Sequence, residues 1–216
     1  MTKKSKILLC NVSKTFAQSK QEKIVVIKNA NFEFDQDRSY GLSGVSGTGK
    51  STLINIIAGL ESPDSGKVEY QNLTNREIGL VFQYPYLIPE LTVIENVILK
   101  GLIAGRSIYD CKQEGLELLK SVGILEKSES STGALSGGQQ QRVSICRAIF
   151  NKPKFLFADE PTAHLDKDNA KHIIDLLLQA KDKWGMGLIV SSHDPEITSL
   201  MENFLEISNG NLVKQK

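Results

Sequence analysis

The sequence "GVSGTGKS" at residues 44–51 decides the fold of this 216-residue chain. It matches the pattern G-x-x-x-x-G-K-[ST] and lies between "SYGLSG", which predicts a strand, and "KSTLINIIAGL", which predicts a buried helix. Its glycines let the backbone wrap around phosphate, Lys50 supplies a cation for the β- and γ-phosphates, and Ser51 offers a hydroxyl to Mg²⁺. A glycine-rich turn that matches by chance is the alternative, and the strand–helix setting disfavours it.

Segments typical of strands and helices alternate along the rest of the chain. "KILLCNV", "KIVVI" and "ANFEFD" predict strands before the glycine loop, and "KVEYQ" and "IGLVFQ" predict strands after it. "KFLFADE" and "GLIVSSHD" are continuous apolar runs, as in central parallel strands, and "FLEISNGNLV" predicts a hairpin turning at Asn209-Gly210. This alternation predicts an α/β fold with a largely parallel sheet.

The middle and the end of the chain carry helical patterns. Residues from about 92 to 134 predict a small helical subdomain inserted into the α/β core. One mostly apolar helical stripe there comprises Ile108, Lys112, Gly115, Leu116, Leu119 and Val122. A second stripe comprises Val143, Cys146, Ile149 and Phe150. Asp166 is positioned to cap a later helix, whose core face comprises Ala170, Ile173, Ile174, Leu177 and Ala180.

Composition is that of an ordinary soluble globular protein, with 40% hydrophobic and 24% charged residues, and the length fits one domain over residues 1–216. A net charge of +1 disfavours nucleic-acid binding through a basic surface; the lysines at 3, 4 and 6 are expected at a solvated terminus. No apolar run approaches the ~18 residues of a membrane span, and "ILLC" is shorter than the ~7–15-residue core of a signal peptide. Any membrane-spanning part is therefore expected on another chain.

The cysteines are three in number and widely spaced, at Cys10, Cys111 and Cys146, and none belongs to a C-x-x-C pair. Such a pattern favours buried thiols over disulfides or a metal site. It predicts a reducing, cytosolic setting.

Paired carboxylates follow the apolar run at residues 155–158. Asp159 and Glu160 are expected at the carboxyl end of a strand, the edge of an open sheet where ligands collect. With a phosphate loop nearby, Asp159 is expected to hold Mg²⁺ through its water shell, and Glu160 to polarise the water that attacks the γ-phosphate.

A second glycine-containing stretch, "LSGGQQQRVS", occupies residues 135–144, ahead of a helix predicted to start near Gln139. Ser136, Gly137 and Gly138 resemble an anion site at a helix start but include no lysine. We expect Arg142, a turn into the helix, to pack or cap rather than bind a ligand. A site without a cation suits a phosphate whose charge is already neutralised by Lys50 and Mg²⁺. We therefore favour the interpretation that this stretch is half of a shared ATP site over the alternative of a second, independent ATP site.

Taken together, these motifs resemble the ATP-binding subunits of ABC transporters over nearly the whole chain. In family order they are "VSKTF", "GVSGTGKST", "VFQ", "LSGGQ" with "QQR", "FLFADEP", "AHLD" and "SSHD". A phosphate loop alone would permit kinases and GTPases, but "LSGGQ" is nearly exclusive to this superfamily, and "NKPK" at 151–154 lacks the Asp of the GTPase motif N-K-x-D. The implied fold has a P-loop NTPase core with a mainly parallel sheet, an N-terminal antiparallel β-subdomain and an inserted α-helical subdomain at approximately 86–133.

The resemblance also implies roles for individual residues. Phe16 would stack on adenine, with a partly buried strand aromatic as the alternative. Gln83 would touch Mg²⁺ and the attacking water, and His193 the γ-phosphate; His164 and His172 are interpreted as structural. The implied catalytic residues are Glu160, His193, Gln83 and Lys50, and the implied Mg²⁺ ligands are Ser51, Gln83 and Asp159. The implied ATP-binding residues are Phe16, Gly44, Val45, Ser46, Gly47, Thr48, Gly49, Lys50, Ser51, Thr52, Ser136, Gly137, Gly138, Gln139 and Asp166.

By the same resemblance, two subunits stack head to tail and the "LSGGQ" of one covers ATP on the P-loop of the other. The chain is most similar to the lipoprotein-releasing and macrolide-exporter group, although Ala163-His164 replaces that group's usual Gly-Asn. The implied function is ATP hydrolysis at the cytoplasmic face of the cell membrane, driving a separate membrane-spanning partner that exports or extracts a hydrophobic or amphipathic substrate.

Two other functions remain open at this stage. A regulatory ABC ATPase would signal through a membrane complex without transport. An ABC ATPase acting on DNA or ribosomes is disfavoured by the near-neutral charge, the single nucleotide domain and the missing coiled-coil insertion. The stretch after Gln83, with Tyr84, Tyr86, Leu87 and Ile88, is interpreted either as the rim of a docking groove or as buried core.

Overall fold

Two sheets form the framework of the protein, whose computed structural model describes residues 3–17 and 23–215. The first sheet is antiparallel, in the order β2-β1-β4. Its strands are β1 (Lys6–Ala17), β2 (Lys23–Asp35) and β4 (Ser65–Gln71). This sheet is the N-terminal antiparallel unit that the resemblance implied.

The second sheet is mainly parallel, in the order β5-β6-β7-β3-β8-β9. Its strands are β3 (Ser39–Ser43), β5 (Ile78–Val81), β6 (Phe155–Asp159), β7 (Gly187–Ser191), β8 (Asn203–Ser208) and β9 (Asn211–Gln215). Only β9 runs antiparallel to its neighbour within the described part of the sheet, in the predicted hairpin, where Asn209 and Gly210 both have positive φ. The predicted α/β class with a mainly parallel sheet is confirmed.

The helices follow the predicted segments. The α-helices are α1 (Lys50–Ile57), α2 (Val93–Ile103), α3 (Ile108–Ser121), α4 (Gly137–Ile149), α5 (Lys167–Trp184) and α6 (Pro195–Thr198). Short 3-10 turns occupy Asn75–Glu77, Leu125–Lys127 and Thr132–Ala134. Thus α2 and α3 fall inside the range expected for the helical insertion.

The parallel sheet is buried on both faces. In β6, Phe155 and Phe157 join one apolar cluster with α1 and the antiparallel sheet, whereas Leu156 and Ala158 join another with α2 to α5. Side chains of a strand alternate between faces, so a strand buried on both sides reads as a continuous apolar run. The carboxyl ends of β3, β6 and β7 are thereby held at one edge of the sheet.

Several sequence predictions need correction. The two strands predicted at residues 23–27 and 30–35 are one strand, β2, which passes through Asn29 in a left-handed conformation (φ 49°), where the Asn29 N–H donates to Ser13 Oγ at 2.9 Å. Helix α4 begins at Gly137, two residues before the predicted start. Cys10 is partly exposed rather than buried, whereas Cys111 and Cys146 are buried.

The predicted apolar stripe of α3 is wrong at its start. Ile108 is 61% exposed and Lys112 is also exposed, while Cys111 and Leu118 take core positions that the stripe omitted. The buried face is therefore rotated relative to the predicted one. The stripes of the later helices are confirmed, since the predicted residues of α4 are buried and so are those of α5 apart from half-buried Ala170.

Over residues 3–17 and 23–215, no helix combines the length and the apolar character needed to cross a bilayer.

Candidate nucleotide site

The glycine loop connects β3 to α1 and leaves its backbone open. Gly47 and Gly49 have φ of 81° and 105°, and Gly49 caps α1 from a left-handed conformation without any side-chain cap. A Cβ on Gly49 would lie 2.3 Å from Val26 Cγ1, so only glycine fits there. The free N–H groups at the start of α1 are thus left for a ligand, as at other anion-binding helix N-termini.

Lys50 turns back over this loop. Its Nζ donates to the Gly44 carbonyl at 2.9 Å and lies 3.4 Å from Glu160 Oε1, and the residue is only 6% exposed. A buried ammonium needs such partners, because an unpaired charge is costly away from water. The cation and the carboxylate predicted to act on ATP are therefore paired with each other in this structure.

The carboxylates Asp159 and Glu160 lie at the carboxyl end of β6 and are joined by Ser191 at the end of β7. Ser191 Oγ donates to Asp159 Oδ1 at 2.6 Å and accepts from the Glu160 N–H at 3.0 Å. Glu160 has φ of 46°, a strained conformation for a residue other than glycine, and these hydrogen bonds hold it there. His193 Nδ1 lies 2.9 Å from Glu160 Oε2, so the histidine contacts the same carboxylate.

A cavity of about 560 Å³ brings most of the predicted site residues together. Its lining residues are Phe16, Val26, Ser46, Gly47, Gly49, Lys50, Ser51, Thr52, Gln83, Glu160, Ala163 and His193. Phe16 is 41% exposed at its edge, where an aromatic ring is available to a base. Asp159 and Thr48 are not among these lining residues: Asp159 Oδ1 accepts from Ser191 Oγ at 2.6 Å, and Thr48 Oγ1 donates to the Val45 carbonyl at 2.8 Å within the glycine loop.

Gln83 lies just beyond the end of β5 and has an unexpected neighbour. Its Nε2 lies 3.2 Å from His164 Nε2, and the His164 ring packs on Tyr84 with centroids 4.8 Å apart. The interpretation of His164 as merely structural is therefore incomplete, because it touches a predicted site residue. The departure at Ala163-His164 in the sequence was the signal that could have pointed to it. His172 lies exposed on α5.

The second glycine stretch is built differently from the first. Ser136 caps α4 with a complete capping box: its Oγ accepts from the Gln139 N–H at 3.3 Å, and Gln139 Oε1 accepts from the Ser136 N–H at 3.0 Å. Among the described residues, Ser136, Gly137 and Gly138 are not part of the lining of the 560 Å³ cavity. Arg142 donates to Asn169 Oδ1 at 3.2 Å and to the Val122 carbonyl, in agreement with a packing role.

Asp166 caps α5, as predicted, by accepting from the Asn169 N–H at 2.9 Å and from Asn169 Nδ2 at 2.7 Å. These hydrogen bonds, the backbone one first, lower the pKa of the Asp166 carboxyl. Asn169 in turn lies against Gly138, where an added Cβ would be 3.1 Å from Asn169 Oδ1. The Asp166 loop and the start of α4 are thus packed together, outside the lining of the cavity.

A family model described as "ABC transporter" matches residues 27–163, more than half of the chain. The chain belongs to the ABC transporter family. As an ABC ATPase it binds and hydrolyses ATP, and the glycine loop with Lys50 is the part of the chain whose geometry fits the nucleotide phosphates.

Proteins similar to this ABC ATPase match it over nearly the full length of both chains. The lipoprotein-releasing system ATP-binding protein LolD of Treponema denticola is 38% identical, covering 95% of this chain and 96% of its own. LolD of Paramagnetospirillum magneticum is 37% identical, with the same coverage. Among solved structures, the dimeric ATP-binding cassette MJ0796 in a post-hydrolysis state with ADP and Pi has a TM-score of 0.89 at 33% identity, covering 97% of this chain and 98% of its own.

Two contributors to this ABC ATPase site escaped the sequence analysis. Ser191, the first residue of the "SSHD" motif, orders both carboxylates; its signal in the sequence is a hydroxyl residue at the end of a buried strand. Val26 packs against Gly49, and nothing in its local sequence distinguishes it from other apolar strand residues.

Proposed function

We propose that this chain is the ATPase subunit of an ABC transporter and that it works as a dimer around two ATP molecules. One observation carries the proposal: Ser136, Gly137 and Gly138 stand outside the lining of the cavity formed by the chain's own P-loop, among the residues described. A motif with exposed Ser136 and Gly137 and without a lysine suits a phosphate presented by another subunit. The dimeric state of the MJ0796 cassette supports this arrangement.

Within one subunit, Lys50 and the loop amides hold the phosphates, and Phe16 stacks on adenine. Base–aromatic stacking contributes about 1–3 kcal/mol where it has been measured. ATP binding breaks the Lys50–Glu160 pair, since the phosphates offer Lys50 a stronger anionic partner. Glu160, freed from Lys50, accepts a proton from the attacking water, while His193 donates to the γ-phosphate.

Ser51, Gln83 and Asp159 are the residues we propose for Mg²⁺. All three offer oxygen donors, which this hard cation prefers, and Ser51 and Gln83 line the same cavity. Asp159, fixed by Ser191, acts through water as a carboxylate behind the cavity wall. When bound, the ion would neutralise charge on the phosphate oxygens.

From the partner subunit, Ser136, Gly138 and Asp166 approach the γ-phosphate, so the closed dimer is favoured with ATP and released after hydrolysis.

We propose a separate membrane-spanning partner at the cytoplasmic face of the cell membrane, docked on a helical subdomain at approximately 86–133. Export or extraction of a hydrophobic or amphipathic substrate, such as a lipoprotein, is supported by the relatives named as lipoprotein-releasing ATP-binding proteins. Isolation from membranes in mild detergent and identification of co-purifying chains tests this part.

The shared site is tested by mixing two inactive variants, Lys50→Ala and Ser136→Arg. In a mixed dimer, one composite site has both defects and the other has none, so about one working site per heterodimer should return. The measurement is ATPase rate against mixing ratio, with each variant alone as control. A flat zero across all ratios, with dimers demonstrated by light scattering, would exclude sharing.

Glu160→Gln tests the hydrolytic part. Because the amide cannot accept the proton, hydrolysis should fall about 10²–10⁴-fold, while ATP binding persists and a closed dimer accumulates. Size exclusion with ATP, and again with ADP, measures the trapped state. Wild-type hydrolysis by this variant would remove Glu160 as the base.

A further inference from the structure

The Gln83 amide and the His164 imidazole are in hydrogen-bond contact, with Gln83 Nε2 3.2 Å from His164 Nε2. An amide nitrogen only donates, so in this orientation of the amide His164 Nε2 is the acceptor and a neutral imidazole carries its proton on Nδ1. The amide oxygen of Gln83 then lies on the side that is not engaged by the imidazole. A reversed amide would present its NH₂ group instead, which cannot bind a metal ion or accept a hydrogen bond from water.

The backbone around Gln83 is already fixed by α4. Gln141 Nε2 donates to the Phe82 carbonyl at 3.1 Å, and Arg147 donates to the Pro85 carbonyl at 2.6 Å and the Tyr86 carbonyl at 2.8 Å. What these bonds leave undetermined is the rotation of the Gln83 side chain. Among the described residues, His164 is the hydrogen-bond partner of that side chain.

The His164 ring is itself held in place. Its face packs on Tyr84 with an interplanar angle of 33°. The turn that carries it is tied to the end of β6, because the Ala163 N–H donates to the Glu160 carbonyl at 3.2 Å and the Leu165 N–H to the Thr162 carbonyl at 3.1 Å. His164 therefore fixes the Gln83 side chain relative to the segment that bears Glu160.

We propose that His164 is a positioning residue for hydrolysis, which accepts a hydrogen bond from the Gln83 amide and so turns the Gln83 oxygen toward the reacting groups. This inference rests on the proposed role of Gln83.

Steady-state ATPase kinetics of the full chain test the proposal. His164→Leu removes the acceptor and should lower kcat about two- to tenfold, the range expected for one neutral hydrogen bond, with little change in KM for ATP. His164→Gln places an acceptor oxygen near the position of Nε2 and should restore most of kcat. His172→Leu, the same change at an exposed histidine on α5, is the matched control and should keep the wild-type kcat.

A double-mutant cycle separates positioning from general stability. If His164 acts through Gln83, then His164→Leu should have no further effect on kcat in a Gln83→Ala chain. Additive losses would overturn the proposal. So would wild-type kcat in His164→Leu alongside a clear loss in Gln83→Ala, a result that leaves the proposed function standing. Wild-type kcat in Gln83→Ala would instead refute the role of Gln83 itself, and the inference with it.

A readout independent of activity is ¹⁵N NMR of the nucleotide-free protein at about pH 8, where imidazoles are largely neutral. We expect an unprotonated Nε2 signal for His164 and a nuclear Overhauser contact between its ring and the Gln83 amide protons, assigned by their loss in Gln83→Ala. A His164 ring protonated on Nε2 instead of Nδ1 would contradict the polarity and overturn the proposal.

Discussion

The two glycine stretches, residues 44–51 and 135–144, both lead into a helix, but they differ in how the first backbone N–H groups of that helix are capped. At the P-loop, Gly49 caps α1 in a left-handed conformation without a side-chain cap. At the second stretch, Ser136 and Gln139 satisfy each other's backbone N–H groups in a capping box. The P-loop thus keeps its donors for a ligand, whereas α4 is stabilised from within the chain and is complete before any phosphate arrives.

Cation placement divides the two stretches further. Lys50 reaches back over its own loop to the Gly44 carbonyl, so a positive charge stands at the proposed phosphate position. Arg142 is instead engaged by Asn169 and the Val122 carbonyl. A loop with open amides and a cation can bind phosphate alone, whereas a self-capped helix start without a cation fits the proposed role of adding to phosphate binding by another subunit.

The largest expected difference between the two glycine stretches comes from removing the cation of each, Lys50 from the first and Arg142 from the second. Lys50→Ala should lower the ATPase kcat/KM about 10²–10³-fold, as for loss of one preorganised charge-stabilising group. Arg142→Ala should leave ATP affinity of the monomer unchanged, because its contacts are structural. Calorimetric ATP titration and steady-state kinetics measure both. Comparable losses of monomer affinity would erase the distinction between the two stretches.

The glycines give the next effect, on stability. Gly49→Ala places a Cβ at φ 105° and 2.3 Å from Val26 Cγ1, so the free energy of unfolding should fall by about 1–3 kcal/mol. Gly137→Ala is the matched control: it lies in α4, and no atom stands within 4 Å of its added Cβ. That change should be neutral or stabilising by about 0.5–1 kcal/mol. Urea unfolding compares the two; equal destabilisation would contradict the assignment of open and self-capped loops.

The sequence was sufficient for the parts of this comparison that depend on local patterns. The P-loop, the carboxylate pair after β6 and the cap at Asp166 were all predicted from motif and position, and the structure places Lys50, Gln83, Glu160 and His193 around one cavity. What local pattern could not supply was contact between distant segments. Ser191 bonding to Asp159 and His164 bonding to Gln83 join residues 32 and 81 positions apart, so only the fold reveals them.

The same reason explains the wrong stripe on α3. Ile108 would be apolar core by its residue type, but it lies at the first turn of α3, is 61% exposed and stands outside the cluster in which Cys111 and Leu119 are buried with residues of α2 and α4. Which face of a short helix is buried is decided by its neighbours, and periodicity at its ends is too weak to fix it.

Loss of the capping box should have a smaller effect. Ser136→Ala removes the acceptor for the Gln139 N–H and should lower the free energy of unfolding by about 1 kcal/mol. Ser136→Asn keeps an acceptor and should recover most of that loss, while the bulkier side chain still disturbs a shared phosphate site. Urea midpoints report the first effect and ATPase rates the second. Full stability in Ser136→Ala would show that the box does not hold α4.

The smallest effect distinguishes a charged cap from an uncharged one. Asp166 caps α5 with a carboxylate whose folded-state pKa is lowered by the Asn169 hydrogen bonds, backbone first. A lowered folded pKa means that its stabilising effect is present above the unfolded value of about 3.9 and is lost as pH falls through the folded value. Asp166→Ser keeps a hydroxyl cap that does not titrate, like Ser136. The stability advantage of wild type over Asp166→Ser, measured by urea midpoints, should therefore be constant from pH 7 to about 5 and shrink below about 4. An advantage that persists unchanged in acid would mean that the capping hydrogen bonds do not depend on the charge of Asp166.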